Sequence, residues 1–576
     1  MITSDNQKAA RLFQEIADFL ELKGENQFKV KAYQKAARAL SGIERPLRDL
    51  YDSGELKSVP GIGKAIAEKI EEMLNEGQIS MHRQLSEEFP PQILDLMDVP
   101  GLGAKKAAVL YRELRIGSLP ELEQAIADGK LRDLKGFGKK TEEKLLEGIK
   151  RLADVEQRLP LGQAMRVARE FVTELSRLDG VETVVPAGSL RRGAETVGDL
   201  DLVCVASDSA AVMAAFCAAV ESQDVLMKGD TRSSIRLSNG FQVDLRVVPA
   251  EALGAAMQYF TGSKDHNVAM RARAEQRGLK LNEYGLFDKT GQAVAGATEE
   301  SIYAYLEVDF VPPELRESGA EVALAAAGKL PRLLELEQVR GNLHTHSEWS
   351  DGSDTLEELA AKARQMGYAY LAVTDHSRAL VIANGLTIER LAEQGRRIDE
   401  LNAGFDDFRL LKGTECDILP DGSLDFPDEV LAGLDLVVAA VHSSFHLDKS
   451  TMTERILKAI ENPHVDILAH PTGRILGRRP GYEVDWEEVF KAAARTQTAL
   501  EINCSPKRLD LSDKMVRRAR ELGVIFSLGT DAHSLREFEY LPLGVGVARR
   551  GWLAPEDVLN SRDGERLEAW LKTRTV

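Results

Sequence analysis

The hydrophobic rhythm of the chain changes twice. Between residues 7 and 150, apolar positions recur at spacings of three and four, as in AARLFQEIADFLELKG and FKVKAYQKAARAL, which predicts short amphipathic helices. A unit repeats within this region: SVPGIGKAIAEKIEEML (58–74), DVPGLGAKKAAVLYREL (98–114) and a weaker LKGFGKKTEEKLLEGI (134–149). Each is an apolar residue, a tight Gly-x-Gly turn and an amphipathic helix. From about residue 160 a helix, LGQAMRVAREFVTELSRL, leads into four strand-like runs, VETVVPAGS, DLDLVCVAS, SSIRLSNG and FQVDLRVV, which together predict an α/β unit. A polar, proline-bearing stretch over 311–340 reads as a connector. Between 341 and 535, seven apolar strands (GNLHTH, YLAVTDH, RLLKGTECDI, LDLVVAAVH, VDILAH, ALEINC, VIFSLGTDAH) alternate with amphipathic helices. That order predicts parallel β/α architecture and a barrel, with a chelating or polar residue at the C-terminal end of each strand, where barrels build their sites.

Length and composition sharpen this picture. A chain of 576 residues predicts several domains. Its apolar content of 43% is that of soluble protein, and no apolar run reaches the roughly 18 residues needed to span a bilayer. The N-terminal stretch MITSDNQKAARLFQEIADFL has no basic segment followed by an unbroken apolar one, and the four cysteines form no C-x-x-C pair. A cytoplasmic protein is expected, without disulfides or a cysteine zinc site. The net charge of −18 argues against global coating of a polyanion. Charge is uneven, however: residues 101–150 carry 11 Lys+Arg against 8 Asp+Glu, whereas residues 51–100 carry 4 against 10, which leaves room for a local basic track. Histidine is uneven too, with eight of the ten after residue 340.

Two features of this distribution carry chemistry. In GDLDLVCVAS, strand alternation puts Asp199 and Asp201 on one side and Leu200 and Leu202 on the other. If the strand bearing Asp244 lies alongside, three carboxylates converge; such a cluster raises its own pKa values unless cations occupy it, and two Mg²⁺ ions fit phosphoryl transfer. Upstream, Gly188 and Ser189 make a small-residue turn before a helix start, and Arg191 and Arg192 add guanidinium groups, a setting for phosphate. In the C-terminal half, His344 and His346 share one side of a strand. Asp351, Asp375, His376, Glu415, His442, His470, Asp531 and His533 join them at strand ends, in a donor set suited to Zn²⁺ or Mn²⁺ and too large for one ion. Arg474, four residues after His470, is open to either steadying a phosphate or lying on the surface.

Residues 181–309 resemble the palm and fingers of family X DNA polymerases, most closely in YFTGSKDHNVAMRARA (259–274) and LNEYGLF (281–287). The resemblance implies that Asp199, Asp201 and Asp244 hold two Mg²⁺ or Mn²⁺ ions. It gives Gly188, Ser189 and Arg192 to the incoming triphosphate, Tyr259, Phe260 and Gly262 to the sugar, Asn267 to the base edge and Arg271 to the template. Gln242 and Lys264 depart from the pattern, which has an arginine and an aspartate there. VPGIG and VPGLG resemble helix-hairpin-helix motifs, in which Gly61, Gly63, Gly101 and Gly103 expose N–H groups to a DNA phosphate; lysines 105, 106, 139 and 140 lie nearby. Residues 7–75 resemble the 8-kDa domain of the family. Lys69 stands at the position of its Schiff-base lysine, with Lys29 and Tyr33 matching other pocket residues, but Phe28 and Ala65 replace a histidine and a lysine, so Lys69 is as consistent with a phosphate contact as with a lyase nucleophile.

Residues 338–575 resemble the PHP (polymerase and histidinol phosphatase) family of metal-dependent phosphoesterases. The resemblance assigns His344, His346, Asp351, His376, Glu415, His442, His470, Asp531 and His533 to two or three Zn²⁺ or Mn²⁺ ions. The fold expected is therefore multidomain, α and α/β: a helical DNA-binding domain (1–80), a helix-hairpin-helix subdomain (81–155), a nucleotidyltransferase palm (156–250), a nucleotide-selection subdomain (251–315), a linker (316–340) and a PHP (β/α)7 barrel (341–576). The function implied is gap-filling DNA synthesis in base excision repair. The barrel would act as a 3′–5′ exonuclease, an apurinic-site endonuclease or a 3′-phosphatase. A template-independent nucleotidyltransferase and a DNA-end scaffold with an inactive barrel are the alternatives. Expected partners are gapped or primer–template DNA and dNTPs, with no membrane, in a nucleoid-associated cytoplasmic monomer.

Overall fold

The computed structural model describes residues 5–574 except 43–46, 60–61, 98, 100, 133, 135, 139–140, 147, 150–157 and 220–221. It divides into two compact units, Met1–Glu156 and Gln157–Val576. In the first, helices Asp5–Lys23 and Gln27–Gly42 pack along each other, and helices Lys64–Glu76 and Ala104–Leu114 follow two of the Gly-x-Gly turns. Phe13, Phe19, Leu40, Ile70, Leu110 and Phe137 belong to one continuous core, so the stretches expected as separate subdomains, 1–80 and 81–155, bury their apolar faces together. This is the arrangement forced on short amphipathic helices, none of which can bury its stripe alone.

The second unit begins with a mixed sheet. Its strands, among the described residues, are β1 (Val181–Pro186), β2 (Asp199–Ala206), β3 (Ser222–Lys228), β4 (Arg232–Leu237) and β5 (Gln242–Val248), in spatial order β1-β2-β5-β4-β3. β2 and β5 run parallel; the other pairs are antiparallel. β3 was not among the strands expected from the sequence. It is an edge strand with mostly exposed side chains, so SQDVLMK carries no apolar alternation to reveal it. Helix Leu161–Leu175 covers the sheet, with Phe171 against Phe216 at 5.7 Å between ring centroids.

Helices Leu253–Thr261, Lys264–Gln276 and Glu299–Tyr305 and a small three-stranded sheet form the next layer. The stretch expected as a linker from 316 continues this layer rather than bridging open space. Arg316 is fully buried, helix Ala320–Ala326 buries Val322 and Ala325, and Leu333 joins the same core. It reads as a connector because its apolar residues are mostly alanines in an unbroken run, VALAAA, flanked by prolines, with no strand or helix periodicity to mark a buried face.

Seven parallel strands then follow among the described residues: β6 (Gly341–Asn342), β7 (Tyr370–Val373), β8 (Arg409–Asp417), β9 (Leu436–Ala440), β10 (Ile467–Leu468), β11 (Ala499–Asn503) and β12 (Phe526–Gly529), each paired with the next. A parallel bridge between Thr345 and Ala532, with Asp531 N–H donating to the His344 carbonyl at 3.0 Å, brings the last strand back to the first. Alternation divides the strand side chains. Tyr370, Ala372, Val438 and Ala440 meet Leu567, Trp570 and Leu571 of the C-terminal helix in one cluster, while Leu371, Val373, Val437 and Ala439 join the cluster of the surrounding helices. Among the described residues, no helix is long and apolar enough to cross a membrane.

Candidate active sites

The parallel register of β2 and β5 sets Asp201 opposite Asp244 and Asp199 opposite Gln242, so the three carboxylates expected to converge do so at the head of the two strands. Leu200, Leu202, Val243 and Leu245 alternate with them into the core, which fixes which way the acids face. Burial, reinforced by Asp199 and Asp244, pushes the Asp201 carboxyl up to about 7. Burial and then Asp244 also raise Asp199. Asp244 accepts hydrogen bonds from the Ser234 hydroxyl and from Gln242 Nε2 at 3.1 and 3.2 Å. Gln242, the departure from the family pattern, thus steadies an acid without adding a second cation beside it. A cluster of acids with one driven to a neutral form is the donor set that divalent cations satisfy.

Gly188 adopts φ +63°, and a Cβ there would meet Asp201 Oδ2 at 2.5 Å, so only glycine lets the Gly-Ser turn lie against the acids. Ser189 follows in the one-turn helix Gly188–Arg191. The two arginines take different partners. Arg191 pairs with Glu299 and donates to Thr261 Oγ1 at 2.7 Å, whereas Arg192 donates from Nη1 to the Thr261 carbonyl at 2.6 Å. Tyr259 and Phe260 meet edge-on at 5.1 Å, and the Arg246 guanidinium lies 4.3 Å above the Phe260 ring. Gly262 closes this turn beside Arg192. Asn267 accepts from Gln258 Nε2 at 2.8 Å and donates to the Tyr259 carbonyl at 2.7 Å, which locks its amide against the aromatic pair. Arg271 is half-buried on the same helix.

In the first unit the three Gly-x-Gly turns share one hydrogen-bond pattern. Ile62, Leu102 and Phe137 N–H groups donate three residues back, and the Gly63, Gly103 and Gly138 carbonyls each accept from the N–H groups three and four residues further on. Gly101 needs its φ of +87°. Gly63 and Gly103 have ordinary φ values of −77° and −74°, and a Cβ on either would meet no protein atom within 4 Å. The fold itself therefore does not demand glycine at these two positions. Gly61, Lys139 and Lys140 lie outside the described residues. Lys69 is half-buried on the first of these helices. Tyr33, expected beside it, is buried with its hydroxyl on Met81 Sδ at 3.1 Å, and Lys29 pairs with Glu25 at 3.4 Å.

At the C-terminal ends of the barrel strands the histidines form three overlapping groups. His346, Asp351, His376 and His533 make the first, His344, His346 and Asp531 the second, and His376, Glu415 and His442 the third; within each, the ligand atoms lie within 4.8 Å of one another. His470 joins through Nε2, 2.9 Å from Glu415 Oε1. All nine expected ligands therefore meet. Their donor set fits metal: His346 Nδ1 and Glu415 Oε2 are buried without a hydrogen-bond partner, and Glu415 Oε2 faces His376 Nδ1 at 2.8 Å without hydrogen-bond geometry. Burial, then the neighbouring His533 and His376, lowers His346 to about 4. Burial also opposes charge on His533, but Asp351 and Asp531 outweigh it and raise that ring to about 10.

Several orienting residues lay outside the sequence reading. Glu501 sits 2.7 Å from His344 Nδ1 and accepts from the His470 N–H at 2.6 Å, and Asp417 lies 2.5 Å from His442 Nδ1. Each fixes which ring nitrogen is left for a metal. The signal was present: a glutamate inside the apolar strand ALEINC, and an aspartate two residues after Glu415. Asp375 is an orienting group too, accepting from the Ser347 N–H at 2.8 Å and from Ser350 and Gln394. Arg474, read from the sequence as either a phosphate contact or a surface residue, is half-buried. Its Nε donates to the Arg508 carbonyl at 3.1 Å, and its Nη2 to Glu195 at 2.8 Å and to the Leu509 carbonyl.

Comparison with known proteins agrees with this division. Family models match for a helix-hairpin-helix domain over residues 4–79, a SAM-like helix-hairpin-helix tandem over 93–151, a DNA polymerase beta thumb over 256–317 and a PHP domain over 342–505. The chain is 43% identical over 565 residues to the "DNA polymerase/3'-5' exonuclease PolX" of Bacillus subtilis, covering 98% of both chains. It is 25% identical over 322 residues to DNA polymerase lambda of Rattus norvegicus, which covers 51% of this chain and 53% of the relative. Its barrel half is 31% identical over 231 residues to a probable phosphatase of Syntrophotalea carbinolica, covering 38% of this chain and 90% of the relative.

Proposed function

The chain belongs to the family X DNA polymerases that carry a PHP domain, and from that premise we propose that it fills short gaps during DNA repair at Asp199, Asp201 and Asp244 and trims 3′ ends at the histidine-rich barrel. It is a DNA polymerase with a 3′–5′ exonuclease activity, and both activities depend on divalent metal. The observation that carries the polymerase reading is the register of Asp201 against Asp244 on parallel strands, beside a glycine turn that no larger residue fits.

Asp199, Asp201 and Asp244 are read as holding two Mg²⁺ or Mn²⁺ ions, and the nine barrel ligands as holding two or three Zn²⁺ or Mn²⁺ ions. When bound, these ions supply Lewis-acid stabilisation of the phosphate under attack and lower the pKa of the attacking hydroxyl or water. The chain's own groups do the rest. The Gly188–Ser189 turn and Arg192 receive the triphosphate of an incoming dNTP. The edge-on pair Tyr259–Phe260 and the Gly262 turn shape the sugar site, Asn267 faces the minor-groove edge of the base, and Arg271 the template. In the first unit, the N–H groups at Gly61, Gly63, Gly101 and Gly103 hold DNA phosphates without reading sequence, and Lys69 contacts the 5′-phosphate side of a gap. In the barrel, Glu501 and Asp417 keep His344 and His442 in the ligating tautomer. The enzyme works as a monomer on nucleoid DNA in the cytoplasm.

A one-nucleotide gapped duplex tests both sites at once. Asp244→Ala is expected to reduce gap filling by about 10³-fold or more and to leave 3′ trimming within about two-fold. His344→Ala should do the reverse. Loss of both activities in either folded variant would overturn the assignment of the two reactions to separate sites.

A further inference from the structure

Glu317 belongs to none of the residue sets above, yet it ties the polymerase site to the barrel. Its Oε1 accepts from Arg192 Nε at 3.2 Å and from Arg550 Nη1 at 2.8 Å. The same Arg550 nitrogen donates to the Arg192 backbone carbonyl at 2.8 Å. Arg550 ends helix Leu541–Arg550, has a side chain only 9% exposed, and is held from its other side by Asp513 at 2.6 Å. The backbone around Glu317 is fixed by the turn that carries Gly262: Ser263 N–H donates to the Arg316 carbonyl at 3.1 Å and Ser263 Oγ to the Glu317 carbonyl at 2.8 Å.

Arg192 is therefore held at two corners of its guanidinium, Nε by Glu317 and Nη1 by the Thr261 carbonyl. Among the described residues Nη2 makes no hydrogen bond, and the Arg192 charge offsets a small part of the rise that burial and the neighbouring acids impose on Asp199 and Asp201, so its field reaches the acids. An arginine stem left free loses considerable rotamer entropy when it is fixed on a ligand. Here that ordering is already present in the fold. We propose that Glu317, braced by Arg550 from the barrel, is a positioning residue for nucleotide capture: it fixes Arg192 so that the remaining corner faces the triphosphate. This rests on the reading of Arg192 as a triphosphate ligand.

The test is single-nucleotide gap filling with titrated dNTP. Glu317→Ala is expected to raise KM for dNTP about ten-fold with kcat within about two-fold, the loss of one hydrogen bond to a charged group. Glu317→Gln keeps an oxygen acceptor for Arg192 Nε and should keep KM within about three-fold. Arg192→Ala should raise KM at least as far as Glu317→Ala, and the double variant should be no worse than Arg192→Ala alone. Unchanged 3′ trimming by Glu317→Ala reports that the chain remains folded. A wild-type KM in Glu317→Ala while Arg192→Ala is impaired overturns the positioning role, as does a lowered KM, which would make the carboxylate a competitor of the nucleotide. A wild-type KM in Arg192→Ala overturns the triphosphate reading itself.

Discussion

At the scale of single residues, Asp201 is held between burial and two like charges, and its carboxyl is raised to about 7. The sign of the consequence follows from linkage. A carboxylate raised in the folded state binds its proton more tightly there than in the unfolded chain, so metal-free stability falls as pH rises from the ordinary carboxylate range through about 7. Binding of a divalent cation must expel that proton, so affinity moves the opposite way. Titration calorimetry with Mg²⁺ should show affinity at the Asp199–Asp201–Asp244 site increasing as pH rises from 6 to 8, by up to about ten-fold per unit below the pKa. An affinity flat across this range in the wild type would show that Asp201 is ionised before metal arrives. The aspartates and the cluster of acids and imidazoles at the barrel strand ends were legible in the sequence because strand alternation and strand-end position are local properties, whereas the choice of nine among them as metal ligands came from the resemblance to the PHP family. Glu501 and Asp417 were missed because their value lies in which histidine each one reaches, which sequence spacing does not give.

At the scale of elements, the Gly-x-Gly turns and the helices after them carry the argument. Gly101 is required by its own backbone, but Gly63 and Gly103 are helix N-caps with ordinary φ and empty space where a Cβ would stand. Gly63→Ala combined with Gly103→Ala is therefore expected to cost no more than about 1 kcal/mol per site, the scale of an altered N-cap, by chemical denaturation. The same double variant should weaken binding of gapped duplex several-fold, because methyl groups would stand between the helix N–H groups and phosphate. Wild-type DNA affinity in this variant would remove these helix starts from the interface. The repeats were visible in sequence as apolar–Gly-x-Gly–helix units; β3 and helix Ala320–Ala326 were not, since an exposed edge strand and an alanine-rich helix write little hydrophobic periodicity.

At the scale of the whole molecule, the palm, the layer after it and the barrel form one unit, Gln157–Val576. Apolar residues of the palm and the barrel run into one cluster, the layer between them packs its own core against Trp552, and ion pairs Arg474–Glu195, Arg549–Glu314 and Arg550–Glu317 cross between them. Differential scanning calorimetry should show this unit melting in a single transition, with Glu195→Ala changing stability by less than about 1 kcal/mol, as half-exposed pairs do. Separate palm and barrel transitions would show the shared cluster to be too weak to couple them. The sequence by itself determined the succession of helical region, α/β unit and parallel barrel, together with the acids and imidazoles placed at strand ends, because side-chain period and element order are written along the chain. Tertiary structure decided which acids face which strands, which arginine pairs with Glu299 and which with Glu317, and that residues 316–333 belong to a core. Those are matters of register and through-space contact between segments far apart in sequence, where energies of a few hydrogen bonds select one arrangement from many with the same local pattern.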